Sequence, residues 1–234
     1  MRLDKILTLT LAIAVAAGLS VSAKQHDHKD MANMGGEAGA SQSMAGEHLH
    51  MGSHMKMTAA QQATPEDLKR AAAIVTTLRG TLEKYKDYRV AIKDGYQIFL
   101  PDIPQPQYHF TNYLRGFEAG FRFDPAQPTS LLYRKTKEGY ELLGAMYTAP
   151  RRMSEAQLDA RVPLGVAQWH AHVNICLPPL DRARAADWTR FGFAGSISTF
   201  ADCKQAGGRF QPQIFGWMVH VYPFETTTDR IWRH

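Results

Sequence analysis

The segment Trp169-His170-Ala171-His172-Val173-Asn174-Ile175-Cys176 alternates apolar and polar residues at almost every step, and that alternation restricts the fold more than any other stretch of the chain. Successive side chains of a strand point to opposite faces. Trp169, Ala171, Val173 and Ile175 are therefore expected to line a buried face, and His170, His172, Asn174 and Cys176 the other. A half-buried strand of this kind belongs to a sheet with one face packed on a core. His170 and His172 then stand about 7 Å apart at Cα, two residues of strand rise, and from there two imidazoles can converge on one ion. Trp217-Met218-Val219-His220-Val221-Tyr222 repeats the logic, with Met218, His220 and Tyr222 sharing one face. If the two strands are neighbours, His220 completes a three-histidine site and Met218 adds a thioether. His109, in Tyr108-His109-Phe110, is the remaining candidate ligand of this region.

The elements around these strands point to one domain over residues 63–234. Thr64-Pro65-Glu66-Asp67 reads as a helix start, with a threonine cap, proline at the first helical position and acids at the positive end of the dipole. Leu68, Ala71, Ala72, Ile74, Val75 and Leu78 follow as a helical stripe. The helix is expected to break at Gly80, continue to Ile92 and end at Asp94-Gly95. Strands are expected over 108–113, 168–177 and 215–223. A hairpin over 130–135 and 140–148 turns at Lys137-Glu138-Gly139. Short helices are expected over 154–160, 180–190 and 198–205. The predicted class is α+β: a largely antiparallel sheet with an N-terminal helix and short helices packed on it.

Residues 1–23 have the form of a secretory signal peptide: Arg2 and Lys5, an apolar run from 6 to 19, then Val21-Ser22-Ala23. The run is about 14 residues, whereas a bilayer span needs about 20. The expected product is periplasmic or secreted, without a membrane anchor after cleavage. Residues 24–62 are poor in aromatic and β-branched residues and are expected to be disordered. They hold two His/Met clusters: His26, His28, Met31 and Met34, then His48, His50, Met51, His54, Met55 and Met57, with Met44 between. Thioether sulfur selects Cu(I), and imidazole suits copper in either oxidation state. The segment is read as a metal-capture tail for copper, with zinc or another divalent transition metal as the alternative.

Cys176 and Cys203 are the two cysteines of the chain. In an oxidising compartment a disulfide is the expected state; a thiolate ligand beside His170 and His172 is the other reading. Lys and Arg exceed Asp and Glu by 27 to 22 but form no basic stripe, so no nucleic-acid partner is expected. The expected partners are a metal ion and a periplasmic copper-handling protein. The functional reading is a copper-binding protein in tolerance, buffering or delivery. One alternative is a metalloenzyme built on a three-histidine ion, with Asn174, Tyr222 and Asn112 as outer groups orienting the ligands and Tyr113 and Asp124 as further polar groups. Another is a structural or sensory domain whose sheet histidines bind no metal. The pattern Trp169-His-x-His-x-Asn-x-Cys176, with Gly216-Trp-Met-x-His-x-Tyr222 near the end, resembles an uncharacterised group of exported bacterial proteins. The resemblance covers most of residues 105–223 and implies a shared fold without an assigned activity.

Overall fold

Antiparallel pairing organises the residues that the computed structural model describes, 52–101 and 105–234. The expected leader and the candidate ligands His26, His28, Met31, Met34, His48, His50 and Met51 lie outside the described residues. The strands are β1 (Met55–Met57), β2 (Gln97–Ile98), β3 (Tyr108–Thr111), β4 (Ser130–Thr136), β5 (Gly139–Ala149), β6 (His170–Leu177) and β7 (Arg209–Val221). They form a seven-stranded sheet in the order β1-β6-β7-β5-β4-β3-β2, with antiparallel neighbours throughout. With the short helices around it, the fold is α+β.

Helix α1 (Pro65–Leu82) begins where its capping residues place it. Thr64 Oγ1 accepts from the Asp67 amide, and the Asp67 carboxylate accepts from the Thr64 amide. Ala71, Ile74, Val75, Leu78 and Leu82 are buried against Phe110, Tyr133, Trp169, Trp217 and Val219 on one face of the sheet. The expected break at Gly80 does not occur. Gly80 is exposed and costs a helix only about 1 kcal/mol relative to alanine, while the fully buried Leu78 and Leu82 hold the turn on either side. The helical path breaks instead at Asp87, where extended backbone ends a 3-10 turn (Glu83–Lys86) and caps α2 (Tyr88–Lys93). Among the described residues no helix is long and apolar enough to cross a membrane.

Strand β3 ends two residues earlier than expected, because Asn112 caps α3 (Tyr113–Glu118) by accepting from the Arg115 amide. The hairpin β4–β5 and the short helix α4 (Glu155–Asp159) appear where anticipated. The expected helix over 180–190 is a 3-10 turn, Leu180–Ala185. Helix α5 (Phe200–Gln205) precedes β7, and α6 (Thr228–Ile231) follows it without having been anticipated.

Three strand details depart from the simple alternation. First, β7 starts at Arg209, six residues before the expected 215, and pairs with β6 through Gln211, Gln213 and Ile214. Second, the β6–β7 register shifts between His170 and His172. Asn174 then takes a left-handed backbone (φ 56°), and so does Phe215 (φ 65°). Asparagine tolerates that region because its short side chain bonds locally, and Asn174 Nδ2 donates to the Ser53 carbonyl. Alternation therefore holds from Trp169 to His172 and is lost beyond, where Ile175 and Cys176 are both fully buried. Third, Met55–Met57 pairs with His170–His172 along the edge of the sheet, so the fold begins before residue 63 and takes in part of the segment expected to be disordered. A three-residue strand carries too little periodicity to stand out from a His/Met-biased composition.

Gly216 sits where β7 passes β5. A Cβ there would lie 2.0 Å from the Ala149 carbonyl oxygen, a clash with backbone that no rotamer relieves. Gly216→Ala is expected to lower stability by about 1–3 kcal/mol, as overpacking does elsewhere. Urea midpoints of the variant and the parent check this, and equal midpoints would show that β5 and β7 do not approach so closely.

Candidate metal centre

The face of the sheet turned away from α1 carries the histidines. Residues directly opposite on antiparallel strands share a face. His109 faces Leu132, Met146 faces His220, and Met218 faces His170. In a flat sheet β3 and β7 would stand three strand spacings apart, about 14 Å. Yet His109 Nε2 and His220 Nε2 lie 3.4 Å apart, closer than two imidazoles reaching across a flat surface come. The sheet is rolled toward its histidine face. Phe99, beyond the start of β3, accordingly meets Phe215 of β7 with ring centroids 5.8 Å apart.

His170 is 2% exposed and lies at the middle of the group. Its ring centroid is 5.0 Å from that of His220, 5.8 Å from that of His172 and 4.1 Å from that of His234. Of the candidates named from the sequence, the structure brings His109, His170, His172 and His220 together. His234 joins them without having been among the residues expected from the sequence. Trp232 in the core and the Arg233 guanidinium over the Tyr222 ring tie that segment down and lay His234 against His170. A tryptophan two residues from the end was the available signal.

His54 also belongs to the folded domain rather than to a tail. It is 8% exposed and donates from Nε2 to the Gly195 carbonyl at 2.6 Å. Its Nδ1 is buried and without a hydrogen-bond partner. Met55 and Met57, taken as tail ligands as well, sit directly opposite His172 and His170.

The electrostatics favour neutral imidazole, the form that ligates a metal. Burial pulls His109 and His172 down to about 4 and His220 to about 3, with neighbouring imidazoles adding to the shift. His170 is held well below the usual histidine range by the same burial and by the four other rings. No carboxylate contributes to any of these shifts. Proton competition for these ring nitrogens therefore falls below the ordinary histidine value of about 6.5, because desolvation weakens the imidazolium and not the imidazole.

The fit to an ion is partial as the rings stand. Two nitrogens on one tetrahedral ion at about 2.0–2.1 Å are about 3.3–3.4 Å apart, the His109–His220 spacing. Among the described residues, however, no three histidine, cysteine or acidic side chains stand in an arrangement that could hold a metal. A third ligand requires an imidazole to rotate about its Cβ–Cγ bond. His170 is the ring best placed to do so, since its Nδ1 and that of His220 are buried and without hydrogen-bond partners.

The outer groups named from sequence are otherwise engaged. Asn112 caps α3 and donates from Nδ2 to the Asp94 carbonyl. Asn174 holds Ser53. Tyr222 donates its hydroxyl to Gln107 Oε1 at 2.9 Å, although its ring remains 6.3 Å from that of His220. Tyr113 is exposed on α3, and Asp124 lies near Tyr147 rather than near the histidines. Cys176 forms a disulfide with Cys203, which withdraws it from the ligand set. Phe193 packs on His172 at 4.9 Å and stacks with Phe215, forming an aromatic rim. No family model, no curated protein and no solved structure matches the chain.

Proposed function

We propose that this is an exported copper-binding protein whose rolled sheet holds one copper ion on His109, His170 and His220, and that it serves copper tolerance, buffering or delivery. The observation that carries the reading is the approach of His109 Nε2 to His220 Nε2 at 3.4 Å, the separation of two nitrogens on one tetrahedral ion, with the His170 ring 5.0 Å from that of His220 and its Nδ1 buried without a hydrogen-bond partner. Copper rather than zinc follows from the methionines that accompany the histidines. The leader-like residues 1–23 and the Cys176–Cys203 disulfide support an oxidising, exported location, where a periplasmic copper-handling protein is the fitting partner. A catalytic use of the same centre is the second reading. It draws on the partial exposure of His109 and His172, which would leave a bound ion an open position.

The test compares copper content and affinity of the full chain with those of His170→Ala/His220→Ala. The double variant is expected to lose one copper equivalent, with affinity at that site weakened by more than about 100-fold, since even outer-group losses cost 10–100-fold. Unchanged stoichiometry and affinity would sink the proposal. A deletion variant must begin before Gly52, because a cut at residue 62 removes β1 and His54 from the sheet.

A further inference from the structure

The strand-borne histidines do not face arbitrary neighbours. Met57 stands opposite His170 on one side and Met218 stands opposite it on the other. Met55 stands opposite His172, and Met146 opposite His220. Directly opposed residues bring their Cβ atoms to about 4.5–5.5 Å, within reach of a thioether. Met146 and Met218 are 7% and 5% exposed and pack together with Leu132 and Tyr222. Space-filling alone does not explain the choice. Strand positions favour β-branched and aromatic residues, and Met is the flexible exception, here placed opposite three of the four strand histidines.

The donor chemistry of the face is correspondingly narrow. It offers imidazole nitrogen and thioether sulfur, while the hydroxyls of Thr111, Ser130 and Thr148 on the same rows are hydrogen-bonded to one another or to Thr129. Both cysteines are bound to each other, and no carboxylate influences the rings. Hard divalent ions seek oxygen, whereas thioethers select soft monovalent ions.

We infer that the face is built for a monovalent soft ion, Cu(I) or Ag(I), held at the His109, His170 and His220 centre with thioether donors drawn from Met57, Met146 and Met218. This inference rests on the metal-binding reading above and specifies its cargo. Met57 and Met146 are the new members of the site. The ion binds in the oxidation state in which it arrives, so no electron transfer is involved.

The experiment is a titration of the full chain, labelled with 13C at the methionine methyls, with Ag(I), which carries the soft-ion chemistry without a redox change. Single Met57→Leu, Met146→Leu and Met218→Leu variants assign the resonances. Once Ag(I) has saturated the other methionines, these three methyl signals are expected to have shifted. His170→Ala/His220→Ala is expected to leave them unmoved. The triple Leu variant should bind Ag(I) at least tenfold more weakly at this site, with Zn(II) uptake by the histidines unchanged. If the triple variant does not fold, the parent titration and the single variants still decide. If the three signals stay in place while Zn(II) or Cu(II) binds the histidines, the soft-ion inference is wrong and the metal-binding reading stands. If no ion perturbs either set of residues, both fall.

Discussion

The metal-free protein is expected to lose stability steeply as the pH falls from about 6.5 to about 4, and to go on losing it toward 3. The reason is the burial of neutral imidazoles. His109 and His172 are held at about 4 and His220 at about 3 in the fold, against 6.5 in an unfolded chain. Between those limits the unfolded chain binds more protons than the folded one, so the slope of unfolding free energy against pH is positive. Stability contributed by these groups is therefore fully present above the unfolded value and is lost as the pH falls through the window. Each tenfold change in proton affinity corresponds to about 1.4 kcal/mol, so a single histidine held at about 4 accounts for on the order of 3 kcal/mol. Several such groups together reach a sizeable part of the 5–15 kcal/mol that a domain commonly possesses. Metal-free protein in urea melts at pH 7, 6, 5 and 4 gives the test. Copper-loaded protein should retain its midpoint to lower pH, because the ion must be displaced before the rings take protons. A flat profile for the metal-free protein would mean that the histidines do not stand buried and neutral in solution, and the basis of the proposed centre would go with it.

How much of this was legible in the sequence differs from residue to residue, for physical reasons. The two-residue period around Trp169 and Trp217 correctly placed His170, His172, Met218 and His220 on one face, because burial of the opposite side dictates the phase of a strand. The sequence offered His109 only as a candidate, with nothing to bring it to His220. Their meeting depends on the roll of the sheet, a property of all the strands together that no local pattern encodes. Asn174 shows the limit of the alternation: its polarity fitted the histidine face, but its left-handed backbone turned it to Ser53. Asn112 shows a different limit. An asparagine followed three residues later by a free amide is as good a helix cap as it is an outer ligand-orienting group, and the cap prevailed. Nothing in the sequence singles out Met146, whose strand reads as an apolar hairpin arm, and only the β5–β7 register reveals that it faces His220. His54, Met55 and Met57 were absorbed into a compositional judgement about their neighbours, whereas they belong to the edge of the fold.

Opening the Cys176–Cys203 bridge is expected to cost about 3.5 kcal/mol and to loosen one side of the centre while sparing the other. The two cysteines are separated by 27 residues, both fully buried, and pack with Phe191 and Ile197. For a loop of that length the chain-entropy relation yields about 3.5 kcal/mol, within the usual range of about 2–4. The enclosed loop carries Phe193, which packs on His172, and Gly195, whose carbonyl accepts from His54. His109 and His220 sit on β3 and β7, outside that loop, and β7 is held on its other side by β5. Cys176→Ala/Cys203→Ala should therefore shift the urea midpoint substantially, and raise amide exchange over residues 178–197. Copper stoichiometry should be preserved under conditions where the variant is still folded. Faster copper release is the expected change at the site, since the loop shields His172 and His54 rather than supplying the core ligands. An unshifted midpoint would show that the bridge is open in the native protein or that its loop is already ordered without it. Loss of copper from a variant that remains folded would move the centre toward His172 and His54, and away from the His109–His220 pair on which its geometry is built.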